Sequence, residues 1–355
     1  MPLFRDVAQL RAMMAEAGLG GQVEAVVATA LPALAMLRQR VPDGPEHLLA
    51  SRLGGLPALP PGVAWPVRGP LPDAAERGRL MDEALELQEQ VWRNPPLFFL
   101  PDGADAEGDA AVDQKEAQSR MVEDVVAGMH AVHAIKRPAL FRPMPLGFVG
   151  QINLAQMAAA GSLPPEFPDH GLLSVFYDTS TWQGAVRVFH HAETERLERR
   201  DVPEALIRFW DATETGRPWA GMTDCAVLSG SPCVSIPEHW PLLSRGNALA
   251  EWIESLWGYD PFRAEGAGED FGEQFGGWAD GLQTLPELEI DPGLYERSWQ
   301  PGRSGWRHVM TFSAEGFATD RYLVSAGDAE LYLMVPEEDL AEWRFDRAVI
   351  VDQAT

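Results

Sequence analysis

Two cysteines and eight histidines are the side chains of this chain best suited to nucleophilic attack, proton transfer or metal binding, so their spacing comes first. Cys225 and Cys233 stand beside Ser-Pro turns without a further Cys or His set at zinc spacing, and they read as partly buried filler. Alternation along a strand sends His190 and His191 to opposite faces, which keeps the pair from sharing one metal. His130 and His133 sit one helical turn apart, but no carboxylate or cysteine flanks them at ligand spacing, and they read as surface or interface histidines. The acidic linker Asp102, Asp105, Glu107 and Asp109 lacks the glycine of a calcium loop. Neither a metal nor a cofactor is expected from these sets.

No Gly-x-Ser-x-Gly, His-Glu-x-x-His or P-loop motif occurs, and no Gly-x-Gly-x-x-Gly follows a strand. The chain is therefore read as non-catalytic. Gln151, Asn153, Asp178 and Gln183 are polar residues in or beside strands, and two roles stay open for them. They satisfy neighbouring loop amides, or Gln151 and Asp178 line, with Asp280, a cleft between two sheet halves that serves a small-molecule-binding or hydrolytic enzyme. Trp182, Trp210, Trp219, Trp257 and Trp278 read as core or interface mass rather than a sugar platform.

The elements that must position these groups follow from pattern and punctuation. Residues 4 to 40 read as two helices broken near Gly18–Gly21, with Val23, Val26, Val27, Ala30, Leu31 and Leu34 at helical spacing; this predicts an N-terminal helical cap over residues 1–45. Residues 67–142 read as a helical insertion. Asp73 with Glu76 offers a capping box, Leu80, Ala84, Leu87 and Val91 form one stripe, and Val122, Val125, Met129 and Val132 form another. Past Arg142 short apolar runs with turn signals predict strands at 146–152, 172–177, 185–190, 226–228, 308–312, 331–335 and 348–351, with helices at 203–211, 246–256 and 337–343. The expected fold is α+β with mainly antiparallel sheets, over a domain spanning residues 46–355.

Composition narrows the partners. The chain has 355 residues, 46% of them hydrophobic, enough for a sizeable core. Its 28 basic and 53 acidic residues give a net charge of −25, which argues against nucleic acid or an anionic membrane as a direct partner and favours a basic one. Residues 251–355 alone carry 22 acidic and 7 basic side chains, a net −15. Two cysteines, no signal-peptide pattern and no apolar run long enough to span a bilayer predict a cytoplasmic protein.

The run Ser51-Arg-Leu-Gly-Gly-Leu-Pro-Ala-Leu-Pro-Pro-Gly-Val-Ala-Trp-Pro66 is dense in residues that fix the backbone and empty of groups that attack, protonate or chelate. It resembles the opening motif of the YwqG-like family, a bacterial domain of unknown function. Pro145-Leu-Gly-Phe-Val-Gly-Gln-Ile-Asn-Leu154, Gly171-Leu-Leu-Ser-Val-Phe-Tyr-Asp178, Gly276-Gly-Trp-Ala-Asp-Gly-Leu-Gln283 and Gly327-Asp-Ala-Glu-Leu-Tyr-Leu-Met-Val335 extend the resemblance in order. The chain departs from it in the long segment between Pro66 and Pro145 and in carrying Glu273 near where the family often has a histidine. The resemblance implies a pseudo-duplicated domain, and Gly171–Phe176 faintly echoes Ala329–Met334. It also implies an association with antibacterial competition loci, including type VI secretion.

The resulting expectation is an immunity protein that neutralises a secreted toxin, most plausibly a basic nuclease. Contact is expected through the insertion at Asp102, Asp105, Asp109, Glu116, Glu123 and Met129, and through an acidic loop at Asp260, Glu265, Glu269, Asp270 and Glu273.

Overall fold

A computed structural model describes residues 3–94, 109–161, 163, 166–180, 184–213, 224–237, 248–256, 273–279, 281, 284–294, 304–313 and 329–354, with backbone alone for 109–116, 224, 313, 329 and 354. Its strands Leu31–Pro42 (β1), Arg52–Gly54 (β2), Gly147–Asn153 (β3), Leu172–Tyr177 (β4), Val186–His191 (β5), Asp224–Ser235 (β6), Glu273–Gly276 (β7), Trp306–Ser313 (β8), Ala329–Pro336 (β9) and Val349–Ala354 (β10) form one sheet. Their order is β10-β9-β8-β7-β1-β6-β2-β3-β4-β5, every pairing is antiparallel, and Leu3–Phe4 adds to β6. The sheet curls until its ends approach: Arg187 of β5 donates to Asp346, 3.2 Å away just before β10, and Trp343 packs on Phe167 and His190. The α+β, mainly antiparallel expectation holds.

Two four-strand meanders, β2-β3-β4-β5 and β7-β8-β9-β10, flank the central β1–β6 pair. Their registers correspond. Arg52 and Leu53 face Gln151 and Gly150, while Gln274 and Phe275 face Thr311 and Met310. Each meander has a bulge in its second strand, between Phe148 and Gly150 and between His308 and Met310.

The main core fills the concave side of the sheet, where Leu34, Met36, Leu53, Val175, Phe275, Phe312, Leu333 and Ile350 are at most 4% exposed. The alternate residues Ala33 and Ala35 of β1 are also fully buried, on the other face with Cys233. Burial on both faces explains why the spacing misleads here. A short continuous apolar run serves a buried strand or a buried helix equally well. Two short helices do form, Val7–Glu16 (α1) and Val23–Val27 (α2), but 31–42 is a central strand and the helical cap ends at Val27. Asp6 caps α1 by accepting from Gln9 N at 2.7 Å. Both helices pack through Leu10, Met14, Val23 and Val26 on Ile253 of helix Ala248–Ser255.

The insertion is a helical hairpin, Ala74–Arg93 (α3) and Asp109–Ala139 (α4), whose root meets helix Glu204–Thr213 (α5). Asp73 makes no capping bond to the α3 backbone and accepts from Arg77 Nε instead, at 2.7 Å. Among the described residues, no helix is long and apolar enough to cross a membrane.

Candidate functional site

Most of the polar residues that could do chemistry are consumed in holding the backbone. In the first meander Gly54 and Gly55 have φ 69° and 68°, a conformation that favours glycine. The turn lets Arg52 fold under it, donating to Gly54 O at 3.0 Å, to Asp43 at 3.2 Å and to Leu56 O. Leu56 N closes the ring onto Asp43 Oδ2 at 2.8 Å. A Cβ on Gly55 would sit 2.4 Å from the Arg52 guanidinium.

The second meander builds the same turn from other side chains. Gly276 and Gly277 have φ 71° and 73°. Gln274 Nε2 donates to Gly276 O at 2.6 Å and Trp278 O at 2.8 Å, and Trp278 N donates to Ser235 Oγ at 2.9 Å. His308 supports it from β8: Nδ1 lies 3.1 Å from Gly276 O and Nε2 2.9 Å from Thr311 Oγ1. Burial pushes this imidazole down to about 4, so it is neutral.

Gln151 is fully buried, donating to Leu48 O at 2.6 Å and Ala50 O at 3.0 Å and accepting from Ala58 N at 3.4 Å. Asp178 is buried against Arg68 and accepts from Ser180 N at 2.9 Å and Ser180 Oγ at 2.5 Å. Arg68 spends its remaining donors on Ser180 Oγ and on the carbonyls of Gly69, Ala139 and Arg142 at 2.8–3.0 Å. Of the three residues assigned to a ligand cleft, two therefore have protein partners, and Asp280 lies outside the described residues. Sequence reasoning missed Arg68, whose only signal is its place just after the Trp65-Pro66 framework.

The reactive side chains are similarly occupied. Cys225 and Cys233 are buried, and burial raises the Cys225 thiol despite the nearby Arg52. His190 packs on Trp343 while His191 stacks on Phe189, on the opposite face, and burial lowers both imidazoles. Among the described residues no three His, Cys, Asp or Glu side chains form a metal-binding group. Trp210 and Trp278 are buried, whereas Trp182, Trp219 and Trp257 lie outside the described residues.

The hairpin remains, and its seam is polar. His130 meets Glu89 at 2.9 Å, His133 and Arg137 meet Asp82 at 2.9 and 2.8 Å, and Arg93 meets Glu123 at 2.8 Å. The neighbouring arginines hold the Asp82 and Glu89 carboxyls below the ordinary carboxylate range. Relative to these seam residues, Leu80 and Leu87 are turned by about 200° around α3. Leu80 is 50% exposed, Leu87 62% and Val91 52%, with Trp92 and Met121 also open to solvent. The stripe the spacing identified is real, but it faces water rather than its partner helix.

The expected contact residues divide accordingly. Glu123 is exposed and Met129 half-buried on α4, while Asp109 and Glu116 lie in its N-terminal half. Asp102, Asp105, Asp260, Glu265, Glu269 and Asp270 lie outside the described residues. Glu273 requires correction as a contact. It is a β7 residue, 2% exposed and 3.1 Å from Arg38, because strand alternation turns it inward beside Met36.

A family model described as "Domain of unknown function (DUF1963)" matches residues 51–353. No curated protein matches the chain.

Proposed function

This chain belongs to the DUF1963 family, and from that premise we propose that it is a non-catalytic binding protein whose helical hairpin docks a basic protein partner. The observation that carries the reading is the solvent-facing stripe Leu80, Leu87 and Val91 on α3, an apolar strip with the exposed Glu76, Glu83 and Glu86 on the same helix. Arg79 already pairs with Glu76 and Glu83, leaving Glu86 beside the apolar anchors, and the chain's net charge of −25 steers a cationic partner in. The implied association with competition loci makes a secreted antibacterial nuclease the partner of choice and the cytoplasm the place of inhibition.

The alternative cleft reading gains no comparable support, since Gln151 and Asp178 already have protein partners. The two meanders, with matching Gly-Gly turns, registers and bulges, are best read as pseudo-duplicate halves, each a framework rather than a reaction centre.

The test is calorimetry of the purified chain against the C-terminal domain of whichever protein is encoded immediately upstream of its gene, at low and moderate salt. Tight, salt-weakened binding that Leu87→Glu reduces supports the reading; absence of binding to the folded domain overturns the toxin assignment.

A further inference from the structure

The spacing of the α3 stripe says what shape of surface covers it. Leu80, Ala84, Leu87 and Val91 follow one another at intervals of four, three and four residues, the a/d repeat of a coiled-coil seam. All four side chains are exposed. Asp82 and Glu89 lie on the opposite side of α3, where Arg137 and His130 of α4 already engage them. The outer seam is therefore shaped for a further helix.

That seam is complementary to a copy of itself. In an antiparallel pair Leu80 opposes Val91, and Ala84 opposes Leu87, of a second copy, so a small side chain receives a large one. On the flanks Met81 meets Gln88 and Glu83 meets Gln90, and no two like charges come face to face. A parallel pair sets Ala84 on Ala84 and leaves a gap. It also holds two chains of net charge −25 side by side at the α3 N-termini, whereas the antiparallel pair places them at opposite ends. The seam is only about 16 Å long, so the pair parts on dilution.

We propose that the free protein pairs with a second copy through antiparallel α3 helices, and that the basic partner displaces that copy to reach the stripe. The inference rests on the stripe being the docking face and adds how that face is regulated. Two acidic copies repel each other while a cationic partner is attracted, which drives the exchange.

The experiment is sedimentation velocity of the full chain from about 1 to 100 µM, a range suited to weak interfaces. The mass should rise from one chain towards two, at lower concentration when added salt screens the mutual repulsion. Leu87→Glu should hold it at one chain throughout. An equimolar mixture of Glu83→Cys and Gln90→Cys should yield a disulfide-linked dimer on mild oxidation, which neither variant yields alone; Cys225 and Cys233 are buried. The three positions are exposed, so these variants should keep the parent circular dichroism. A parent that stays monomeric at the top of that range overturns the proposal. So does a dimer that Leu87→Glu leaves intact, or cross-linking of Glu83→Cys with itself. A monomer that binds the upstream-encoded domain through Leu87 overturns the pairing and leaves docking standing; a dimer without affinity for that domain supports the pairing and overturns docking.

Discussion

Arg68, in the short strand Val67–Arg68, and Asp178, just past the end of β4, form an ion pair whose side chains are 3% and 1% exposed. Through the Ala139 and Arg142 carbonyls the same guanidinium ties the root of α4 to the sheet. Removing one partner of a buried pair leaves an uncompensated charge, which costs roughly 3–5 kcal/mol. Arg68→Ala should lower stability in urea by about that much and speed amide exchange near residues 139–142. A loss under about 1 kcal/mol would show that the pair does not fasten the hairpin.

The α3 stripe separates stability from binding. Leu87→Glu and Val91→Glu alter side chains more than half exposed and should change the unfolding free energy measured in urea by no more than about 0.5 kcal/mol. The same changes should weaken capture of the basic partner about tenfold or more, since central apolar anchors dominate such interfaces. A stability loss comparable to a core substitution would instead place the stripe against this protein's own surface.

Asp352 points to the concave side of β10, level with Leu331, and burial with the nearby Glu289 pushes its carboxyl up from 3.8 to about 7. Its folded-state pKa exceeds the unfolded one, so folding favours the protonated form. The penalty is absent below about pH 3.8, grows as pH rises and is complete above about pH 7, where it reaches roughly 4 kcal/mol. Asp352→Asn should therefore flatten the fall in stability between pH 5 and pH 8. An unchanged slope would mean that the carboxylate is already ionised in the fold.

His308 carries the opposite sign. Its folded pKa of about 4 lies below the unfolded 6.5, so the unfolded chain binds the proton more tightly. The stability tied to the neutral ring is full above about pH 6.5 and is lost as pH falls towards 4, by roughly 3 kcal/mol. His308→Gln should be less acid-sensitive than the parent when denaturation midpoints at pH 7 and pH 4.5 are compared. Equal sensitivity would assign the acid limb to carboxylates alone.

The Gly-Gly turns predict graded alanine effects. Gly55→Ala and Gly277→Ala meet a positive φ and a Cβ contact of 2.4 Å, whereas Gly62→Ala meets φ +80° with nothing within 4 Å. The first two should each cost more than the roughly 1 kcal/mol of the third, measured by thermal melting. Equal costs would show that backbone conformation alone selects these glycines.

How much of this was legible in sequence depended on how local each signal was. The strands at β3, β4, β5, β8, β9 and β10 announced themselves through apolar runs between turns, as did both hairpin helices. β1 did not, because burial on both faces erases alternation. β2 and β7 are too short for periodicity, with 3 and 4 residues, and their Gly-Gly endings read as loop. Gln151 was recognised as a candidate for satisfying loop amides, but its Leu48, Ala50 and Ala58 partners lie about a hundred residues away in the chain. The orientation of the α3 stripe was beyond local reading: a moment says that one face is apolar, not whether another helix covers it.

The strand order has a temporal consequence. Among the described residues β1 pairs only with β6 and β7, from the second meander's side of the chain, while β6 pairs with β1, β2 and Leu3–Phe4. Leu31 waits on the growing chain for Ser235, its partner, to be synthesised. Neither half can complete its sheet alone, so the central ladder closes late, through contacts of large sequence separation that fold slowly. Until then the nascent chain carries an unpaired apolar strand, open to pairing with other chains.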